Sequence, residues 1–401
     1  MNQSQSYLPG MQGDVSRGNE VQQGKAKMAG VRDRGELHVH LNGAIPAPII
    51  REILADESTE LPPGFLIERD LLRNTPCHSL ASYLTPWQAL RLFPKKRENL
   101  DRISNAVFAS LVENGVRFVE LRSSVLYLAH LQNCSPTQAL EHLIESTRNA
   151  AHRHGIRRGL ILTVTRGDYG AVCLSTLLQA YQDLGEPNDV VGLDLAGDEE
   201  IAYPSELPSL FRKAKDRFGL GVTIHAGETG RVENVQAAVE LFGADRIGHG
   251  TAAGKDPHLL DKLVTQDICI EVCPISNRLT GAVPFDEAHP LQEFRRFGVP
   301  FVICSDNPAI HQRGLADDQT IAIAEGLIYT PRLHQAPLPN PLKKPRVQVP
   351  RSPLLPCPSK HRSTRLAHRL QTNPALSQVL QRPPGSPVIL SAGRQKKPST
   401  C

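Results

Sequence analysis

The 401-residue sequence lacks the features of a membrane-spanning or secreted protein. It contains no run of about 18 apolar residues, so no segment has the composition of a transmembrane helix. Residues 1–30 are polar, rich in Gln and Gly, and without the apolar stretch of a secretory signal, and we predict that they are disordered. These absences predict a cytoplasmic protein without a membrane partner.

Closely spaced cysteine pairs are also missing. None of the eight cysteines belongs to a Cys-x-x-Cys pair. In a chain of this size that usage indicates reduced thiols rather than a disulfide framework. Cys269, Cys273 and Cys304 lie in strand-like runs, where we expect them to be small buried hydrophobic side chains.

Acidic residues are absent from the last part of the chain. Residues 331–401 contain thirteen Lys or Arg, fourteen Pro and no Asp or Glu, whereas the preceding part has 32 basic and 41 acidic residues. A basic, Pro-rich segment without helical periodicity predicts a disordered tail. The tail contains no aromatic side chain on which a base could stack, so we do not expect it to bind nucleic acid.

Between residues 31 and 330, strand-like runs alternate with helical patterns. Eight short runs are rich in β-branched and apolar residues, and the segments between them space their apolar residues by three and four. This alternation predicts a parallel sheet, which forms a (β/α)8 barrel when it closes on itself. The runs span 36–41, 117–122, 160–165, 190–195, 222–225, 246–249, 268–272 and 300–305.

An open, doubly wound sheet is the alternative to the barrel. It places ligands at a switch point in the strand order, so residues from the first, fifth, sixth and eighth runs would converge less readily. The segment 52–97 is too long for a simple connection and predicts extra helices over the C-terminal face of the barrel. We therefore predict one barrel domain over residues 31–330, flanked by disordered termini.

Residue types that bind metals stand in or at the ends of these runs. His38 and His40 are two residues apart in the first run and face the same side of the strand, although two solvated histidines in a polar turn would give the same pattern. His225 ends the fifth run and Asp306 follows the eighth, which adds a third nitrogen and a carboxylate. Three His and one Asp suit one Zn²⁺ per chain, with Fe²⁺, Co²⁺ and Mn²⁺ as alternatives.

Two further side chains have the chemistry of proton carriers. Glu228 lies three residues beyond His225, where we expect a general acid rather than a solvated carboxylate. His249 stands between two glycines, which let backbone and substrate approach closely, and would orient or deprotonate an attacking water. Gly197, after the fourth run, can present a backbone N–H to a ligand, although a tight turn would also favour glycine there.

Together these segments resemble the adenosine deaminase family of zinc-dependent purine deaminases. The match covers about residues 31–330, and its pieces follow the family's order and approximate spacing. The matching stretches are 36–43 (ELHVHLNG), 191–199 (VGLDLAGDE), 225–228 (HAGE), 246–250 (RIGHG), 271–277 (EVCPISN) and 305–308 (SDNP).

The resemblance implies a hydrolytic reaction at C6 of a purine, in which adenosine and water give inosine and ammonia. It implies that Glu228 protonates the ring nitrogen beside the reacting carbon, that His249 assists the attacking water, and that Asp306 helps to orient that water. The implied metal ligands are His38, His40, His225 and Asp306. The implied substrate contacts come from His40, Asn42, Gly197 and Asn307.

Two positions depart from the family pattern. Adenosine-specific members of the family usually have Asp where this chain has Asn42. In the family, the residue at this position contacts the ribose hydroxyls. Asparagine there no longer repels a 5′-phosphate, so N6-substituted AMP is the alternative substrate. Asn307 stands where a second Asp is common, and its amide can donate to a ring nitrogen of the purine.

The C-terminal part of the chain departs from the family as well. Beyond residue 330 the family continues with charged amphipathic helices that pack against the last strand, whereas this chain becomes rich in Pro and basic residues. We therefore predict that the last helix of the barrel is missing or replaced, and a changed reading frame near residue 329 would explain the shift. A metal-bearing but inactive protein is a further alternative.

We expect a chain truncated after residue 330 to keep the melting temperature of the full-length chain, because a tail without periodicity has no apolar face to pack. Thermal unfolding of both proteins by circular dichroism tests this. A clear drop in the melting temperature of the truncated chain would show that the tail covers part of the core.

Overall fold

The computed structural model describes residues 34–325. The predictions for the disordered termini, for the domain limits at 30 and 330, and for the chain beyond 330 lie outside these residues and stay predictions. Within 34–325, no helix is both long and apolar enough to span a bilayer. The six cysteines of this part are free thiols, and Cys269, Cys273 and Cys304 are buried as expected.

Eight parallel strands form one sheet whose spatial order is the order of the sequence. The predicted runs all become strands, with small differences at their ends. The eighth differs most, because only three of its six residues pair as a strand. The strands are β1 (Arg34–His40), β2 (Val116–Ser123), β3 (Arg157–Thr165), β4 (Val190–Ala196), β5 (Gly221–Ala226), β6 (Arg246–His249), β7 (Cys269–Val272) and β8 (Phe301–Ile303).

Backbone contacts between the first and last strands turn the sheet into a nearly closed barrel. Asp306, just after β8, donates its N–H to the carbonyl of His38 at 2.8 Å and accepts the N–H of His40 at 3.0 Å. A parallel bridge between Val39 and Asp306 joins the same positions. The open sheet considered as the alternative is therefore excluded, and the carboxyl ends of β1 and β8 lie side by side.

Helices fill the connections between strands, as the spacing of apolar residues predicts. They are α1 (Ala47–Asp56), α2 (Leu80–Tyr83), α3 (Trp87–Leu90), α4 (Arg97–Glu113), α5 (Val125–Leu131), α6 (Pro136–His154), α7 (Gly170–Asp183), α8 (Leu207–Phe218), α9 (Val232–Ala237), α10 (Pro257–Thr265), α11 (Pro274–Leu279), α12 (Leu291–Phe297), α13 (Pro308–His311) and α14 (Leu315–Ala324). Single π turns cover Ile67–Leu71 and Ala238–Phe242, and 3₁₀ turns cover Asn42–Ala44 and Thr251–Lys255.

The longest helix, α6, shows how local sequence sets these boundaries. The Ser135 hydroxyl accepts the backbone N–H of Gln138, and the Gln138 side chain accepts the N–H of Ser135, which is a complete capping box. Pro136 occupies the first turn, where its missing N–H costs nothing. The helix ends at Gly155, whose φ of 63° is the left-handed conformation that glycine adopts without strain.

The long connection after β1 is less regular than predicted. Its first helix, α1, begins at Ala47, before the predicted segment, and the rest consists of a π turn and two four-residue helices, α2 and α3. The Tyr83 side chain of this region contacts two side chains beyond β8. Its hydroxyl hydrogen-bonds with His311 and accepts the Asn307 amide N–H. The connection thus lies against the C-terminal face, where extra helices were expected.

The helix α14 packs against β8. It contributes the buried side chains Leu315 and Ala322 to the main core, while Phe301 and Val302 of β8 remain only half-buried. Whether another helix covers this strand lies outside residues 34–325, so the prediction of a missing or replaced last helix stays open.

Charged side chains occupy the barrel interior below the C-terminal face. Arg246 is fully buried, donates to Glu120 at 2.6 Å and to Glu271 at 2.6 Å, and so neutralises two carboxylates from β2 and β7. Arg122, also fully buried, donates to Glu271 and lies 3.5 Å from Asp194. A barrel interior normally contains branched apolar residues, so this layer needs every charge to have a partner.

We expect Arg246→Leu to destabilise the fold by about 3–5 kcal/mol, because it leaves the carboxylates of Glu120 and Glu271 buried without their shared cation. Urea unfolding followed by circular dichroism measures this. Arg296→Leu is the matched control, since that exposed Arg pairs with Glu293 on the helix surface and its loss should change stability little. Equal effects of the two substitutions would contradict the role given to the interior charges.

Candidate active site

Four side chains meet at the C-terminal end of the barrel. The ligand atoms of His38, His40, His225 and Asp306 all lie within 4.8 Å of one another. His38 and His40 come from the end of β1, His225 from the end of β5, and Asp306 from the segment that bridges β8 to β1. The structure thus brings together the four predicted metal ligands, which are separated by up to 268 positions in the sequence.

The nitrogen atoms of this cluster face one another at distances that suit a shared cation. Nε2 of His40 lies 3.2 Å from Nε2 of His225, close to the distance of about 3.3 Å expected for two imidazoles on one tetrahedral Zn²⁺. Nε2 of His38 is buried without a hydrogen-bond partner and lies 3.5 Å from Asp306. The residues therefore fit a divalent metal ion.

Carboxylates behind the histidines determine which ring nitrogen faces the cluster. Nδ1 of His38 donates to Glu271 at 2.8 Å, and Nδ1 of His225 donates to Asp194 at 2.9 Å. With the proton on Nδ1, each ring presents the lone pair of Nε2 to the other ligands. Arg122 lies against both carboxylates and connects the two histidine–carboxylate pairs.

Two residues of the site have an unusual backbone conformation, and a neighbouring glycine allows the backbone to pass close to a histidine ring. His249 and Asp306 have φ values of 64° and 60°, a left-handed conformation that is rare for residues other than glycine. Gly248 passes so close to His38 that a Cβ atom there would lie 2.9 Å from the imidazole ring. This contact explains the glycine before His249, and any larger residue would displace a metal ligand.

Glu228 lies in a pocket that favours its protonated form. Burial raises the pKa of Glu228 well above its usual value, and the negative charges of Glu199 and Asp306 add to the rise. Glu199 accepts the backbone N–H groups of Gly227 and Glu228 at 2.9 and 2.7 Å, which fixes the loop that presents Glu228. The guanidinium of Arg166 opposes the shift only in part.

His249 faces both Glu228 and the histidine cluster. Its Nε2 lies 3.6 Å from a carboxyl oxygen of Glu228, beyond direct hydrogen-bond distance. Its ring lies 4.8 Å from that of His38 and 5.3 Å from that of His225. Burial lowers the pKa of His249 well below its usual value, and His38 lowers it further, so the ring is neutral.

The predicted substrate contacts lie around the same end of the barrel. Asn42 lies two residues beyond β1 and donates its amide to the carbonyl of Leu90 at 2.8 Å, so its carbonyl oxygen is the end left for another group. Asn307 follows Asp306 and donates to the Tyr83 hydroxyl at 3.0 Å. Gly197 ends β4 with a φ of 101°, a conformation that other residues rarely adopt.

Sequence analysis missed the residues that orient these groups. Glu271, Asp194 and Glu199 stand inside the motifs named above without a predicted role, and Arg166 directly follows the third run. A signal was available, because charged residues inside strand-like runs need buried partners. The sequence does not say which partner each one has, since that depends on which strands face each other across the barrel.

Comparison with known proteins identifies the relatives of this chain. A family model described as adenosine deaminase matches residues 34–331. The adenosine deaminase of Shigella flexneri is 31% identical over 309 residues, which is 75% of this chain and 90% of the relative. The Clostridium acetobutylicum enzyme is 29% identical over 289 residues, 71% of this chain and 84% of the relative.

Solved structures share the fold. An adenine deaminase from Arthrobacter aurescens superposes with a TM-score of 0.64 at 23% identity, covering 73% of this chain and 88% of that one. The Arabidopsis N6-mAMP deaminase gives a TM-score of 0.63 at 22% identity, covering 74% of this chain and 89% of that one. At 22–23% sequence identity, the structural similarity supports the barrel fold but does not identify the substrate.

We expect Zn²⁺ to raise the melting temperature of the metal-free protein and His225→Ala to lose most of this rise, because a folded site binds the ion more tightly than the unfolded chain does. Metal analysis after dialysis should give about one ion per wild-type chain and far less for the variant. His258→Ala, which changes an exposed histidine, is the control. Equal metal content in all three proteins would rule out this site.

Proposed function

The chain belongs to the adenosine deaminase family, and we propose that it converts adenosine and water into inosine and ammonia with Zn²⁺ as its metal. It is a hydrolytic deaminase of purines, and the family is metal-dependent. The choice of adenosine, the choice of zinc and the role of each residue are the proposal. The observation that supports it best is the convergence of three imidazoles and one carboxylate beside Glu228, whose pKa is raised by burial.

The ligand set favours zinc among the divalent ions. Zn²⁺ binds imidazole nitrogen and carboxylate oxygen readily, and three His with one Asp satisfy its usual preferences. A bound Zn²⁺ acts as a Lewis acid and lowers the pKa of water to about 7, so that a nucleophile is available at neutral pH. His38 and His225 are oriented for this role by Glu271 and Asp194.

Glu228 is the proposed general acid. Attack at C6 of the purine places negative charge on the adjacent ring nitrogen, which then needs a proton. The raised pKa of Glu228 keeps a proton on its carboxyl group at neutral pH, and the hydrogen bonds from its loop to Glu199 hold the group in place. A carboxyl group kept protonated in this way can donate as the charge develops.

Asp306 and His249 are the proposed orienting groups for the attacking water. Asp306 accepts the Ser276 hydroxyl at 2.7 Å through one oxygen and directs the other toward His38 and His40. His249 approaches from the opposite side, next to Glu228. A water held between these groups would be aligned before the reaction, which lowers the entropic part of the barrier.

The remaining contacts would recognise the base and the sugar. The backbone N–H of Gly197 and the side chain of Asn307 are proposed to bind purine nitrogens, and His40 borders the base from the metal site. The Asn42 amide is engaged by Leu90, which leaves its carbonyl oxygen to accept a ribose hydroxyl. This arrangement suits a nucleoside.

N6-substituted AMP is the second candidate substrate. Asn42 has no negative charge that would repel a 5′-phosphate, and this observation alone favours the nucleotide. The side-chain carbonyl oxygen that Asn42 keeps for a ligand argues the other way, because a phosphate in place of the 5′-hydroxyl offers no proton to it at neutral pH. We therefore place adenosine first.

We expect ammonia and inosine from adenosine in the presence of Zn²⁺, and a loss of about 10²–10⁴-fold in kcat for Glu228→Gln, which cannot donate the proton. Glu233→Gln, at an exposed position of the same connection, is the matched control. A coupled ammonia assay with adenosine, AMP, N6-methyl-AMP and adenine ranks the substrates.

The panel separates the competing functions. Faster release of amine from N6-methyl-AMP than from adenosine would replace the proposed substrate with the nucleotide. Metal content of about one ion per chain without turnover of any purine would identify an inactive family member.

A further inference from the structure

A chain of hydrogen bonds leads from the start of α12 to His249. The backbone N–H of Leu291 donates to Nδ1 of His289 at 3.1 Å. Nε2 of His289 lies 3.2 Å from the Asn277 carbonyl oxygen, and the Asn277 amide nitrogen lies 3.0 Å from Nδ1 of His249. Asn277 and both histidines are almost completely buried, so water does not compete for these bonds.

The first donor fixes the direction of every bond in this chain. A backbone N–H can only donate, so Nδ1 of His289 is an acceptor and the ring proton must be on Nε2. That proton is donated to the carbonyl oxygen of Asn277, which leaves the amide nitrogen of Asn277 as a donor to His249. Nδ1 of His249 is therefore the acceptor, and the neutral ring carries its proton on Nε2.

The neutral state of His289 fits the same geometry. A protonated His289 would place a second N–H against the N–H of Leu291. Burial and, to a smaller extent, the nearby Arg278 lower the pKa of His289 to about 4, so the ring accepts from Leu291 at neutral pH. Leu291 begins α12, and its N–H is one of those that a helix leaves without an internal partner.

We propose that Asn277 and His289 are positioning residues that hold His249 in the Nε2–H form, so that His249 donates a hydrogen bond to the attacking oxygen and does not take its proton. This assignment deepens the proposed function, on which its catalytic consequence rests. It decides between the two roles, orienting or deprotonating, that the sequence leaves open for His249. The hydrogen-bond chain itself is independent of any substrate.

The site gives this donor a clear direction. Nε2 of His249 points toward the carboxyl group of Glu228, 3.6 Å away, and its ring lies beside those of His38 and His225. A base at this position would need a lone pair on Nε2, and the Asn277 amide opposes that tautomer by placing a donor against Nδ1. The polarity of His249 is thus opposite to that of His38 and His225, whose Nδ1 atoms face carboxylates.

The test reads the tautomer of His249 directly, in the full-length zinc-loaded protein labelled with ¹⁵N-histidine. Nitrogen NMR at about pH 8, above the ordinary His pKa of about 6.5, distinguishes a protonated ring nitrogen from a bare one. The His249 signals are assigned by their loss in His249→Asn. We expect a bare Nδ1 and a protonated Nε2 in the wild-type protein, and a protonated Nδ1 on His249 would overturn the proposal.

Two substitutions of His289 separate positioning from simple packing. Gln can still donate an N–H to the carbonyl oxygen of Asn277, whereas Leu of similar size cannot, so the Asn277 amide is free to turn over. We expect His289→Leu to give a mixture of His249 tautomers and to lower kcat by about 10–100-fold with little change in KM. His289→Gln should keep the wild-type tautomer and restore much of kcat.

Identical tautomers and identical kcat values for the Leu and Gln variants would contradict the proposal. If His289→Leu does not fold, Asn277→Asp decides instead, because a carboxylate at 277 can only accept and should force a proton onto Nδ1 of His249. An unchanged bare Nδ1 in that variant would also contradict it. The expected tautomer without any purine turnover would reject the proposed function and leave the hydrogen-bond chain intact.

Discussion

The chemistry of this site depends on which nitrogen of each imidazole bears a proton, and a buried neighbour decides this for three of the four histidines. Glu271 and Asp194 accept from Nδ1 of His38 and His225, so both rings offer a lone pair to a metal. Asn277 donates to Nδ1 of the third ring, that of His249, so this ring offers an N–H. A polar group behind each ring thus leaves His38 and His225 with a lone pair for a metal and leaves His249 with an N–H donor.

The closed barrel makes these neighbours available because it places strands that are far apart in sequence across a common interior. Glu271 on β7 reaches His38 on β1 and also accepts from Arg122 on β2 and Arg246 on β6. Burial would raise the pKa of Glu271, but the two guanidinium groups and His38 outweigh burial and hold it well below its usual value. An ionised Glu271 can then keep the proton of His38 on Nδ1.

The sequence was sufficient for the eight strands and for the ligand set, because both depend on local patterns and on the shared edge where parallel strands end. It was less informative at β8, where Cys304 and Ser305 lie beyond the strand and Asp306 hydrogen-bonds to His38. The role of Glu271 could not be predicted, since two of its partners, His38 on β1 and Arg122 on β2, lie on strands that are not neighbours of β7 in the sheet. Nor could that of His289, which acts through the start of a helix rather than through any motif.

Two buried carboxyl groups in one pocket behave in opposite ways, and their surroundings explain the division of labour. Burial alone would raise the pKa of both. At Asp306 the neighbouring imidazoles of His38, His249 and His40 outweigh burial and hold the pKa well below its usual value. At Glu228 the neighbouring charges of Glu199, Asp306 and Asp198 are negative and add to it.

The pocket therefore has donors on one side, at Glu228 and His249, and an acceptor on the other, at Asp306. That polarity suits a reaction in which a water loses a proton on one side while a ring nitrogen gains one on the other, because each group already holds the protonation state that its step requires.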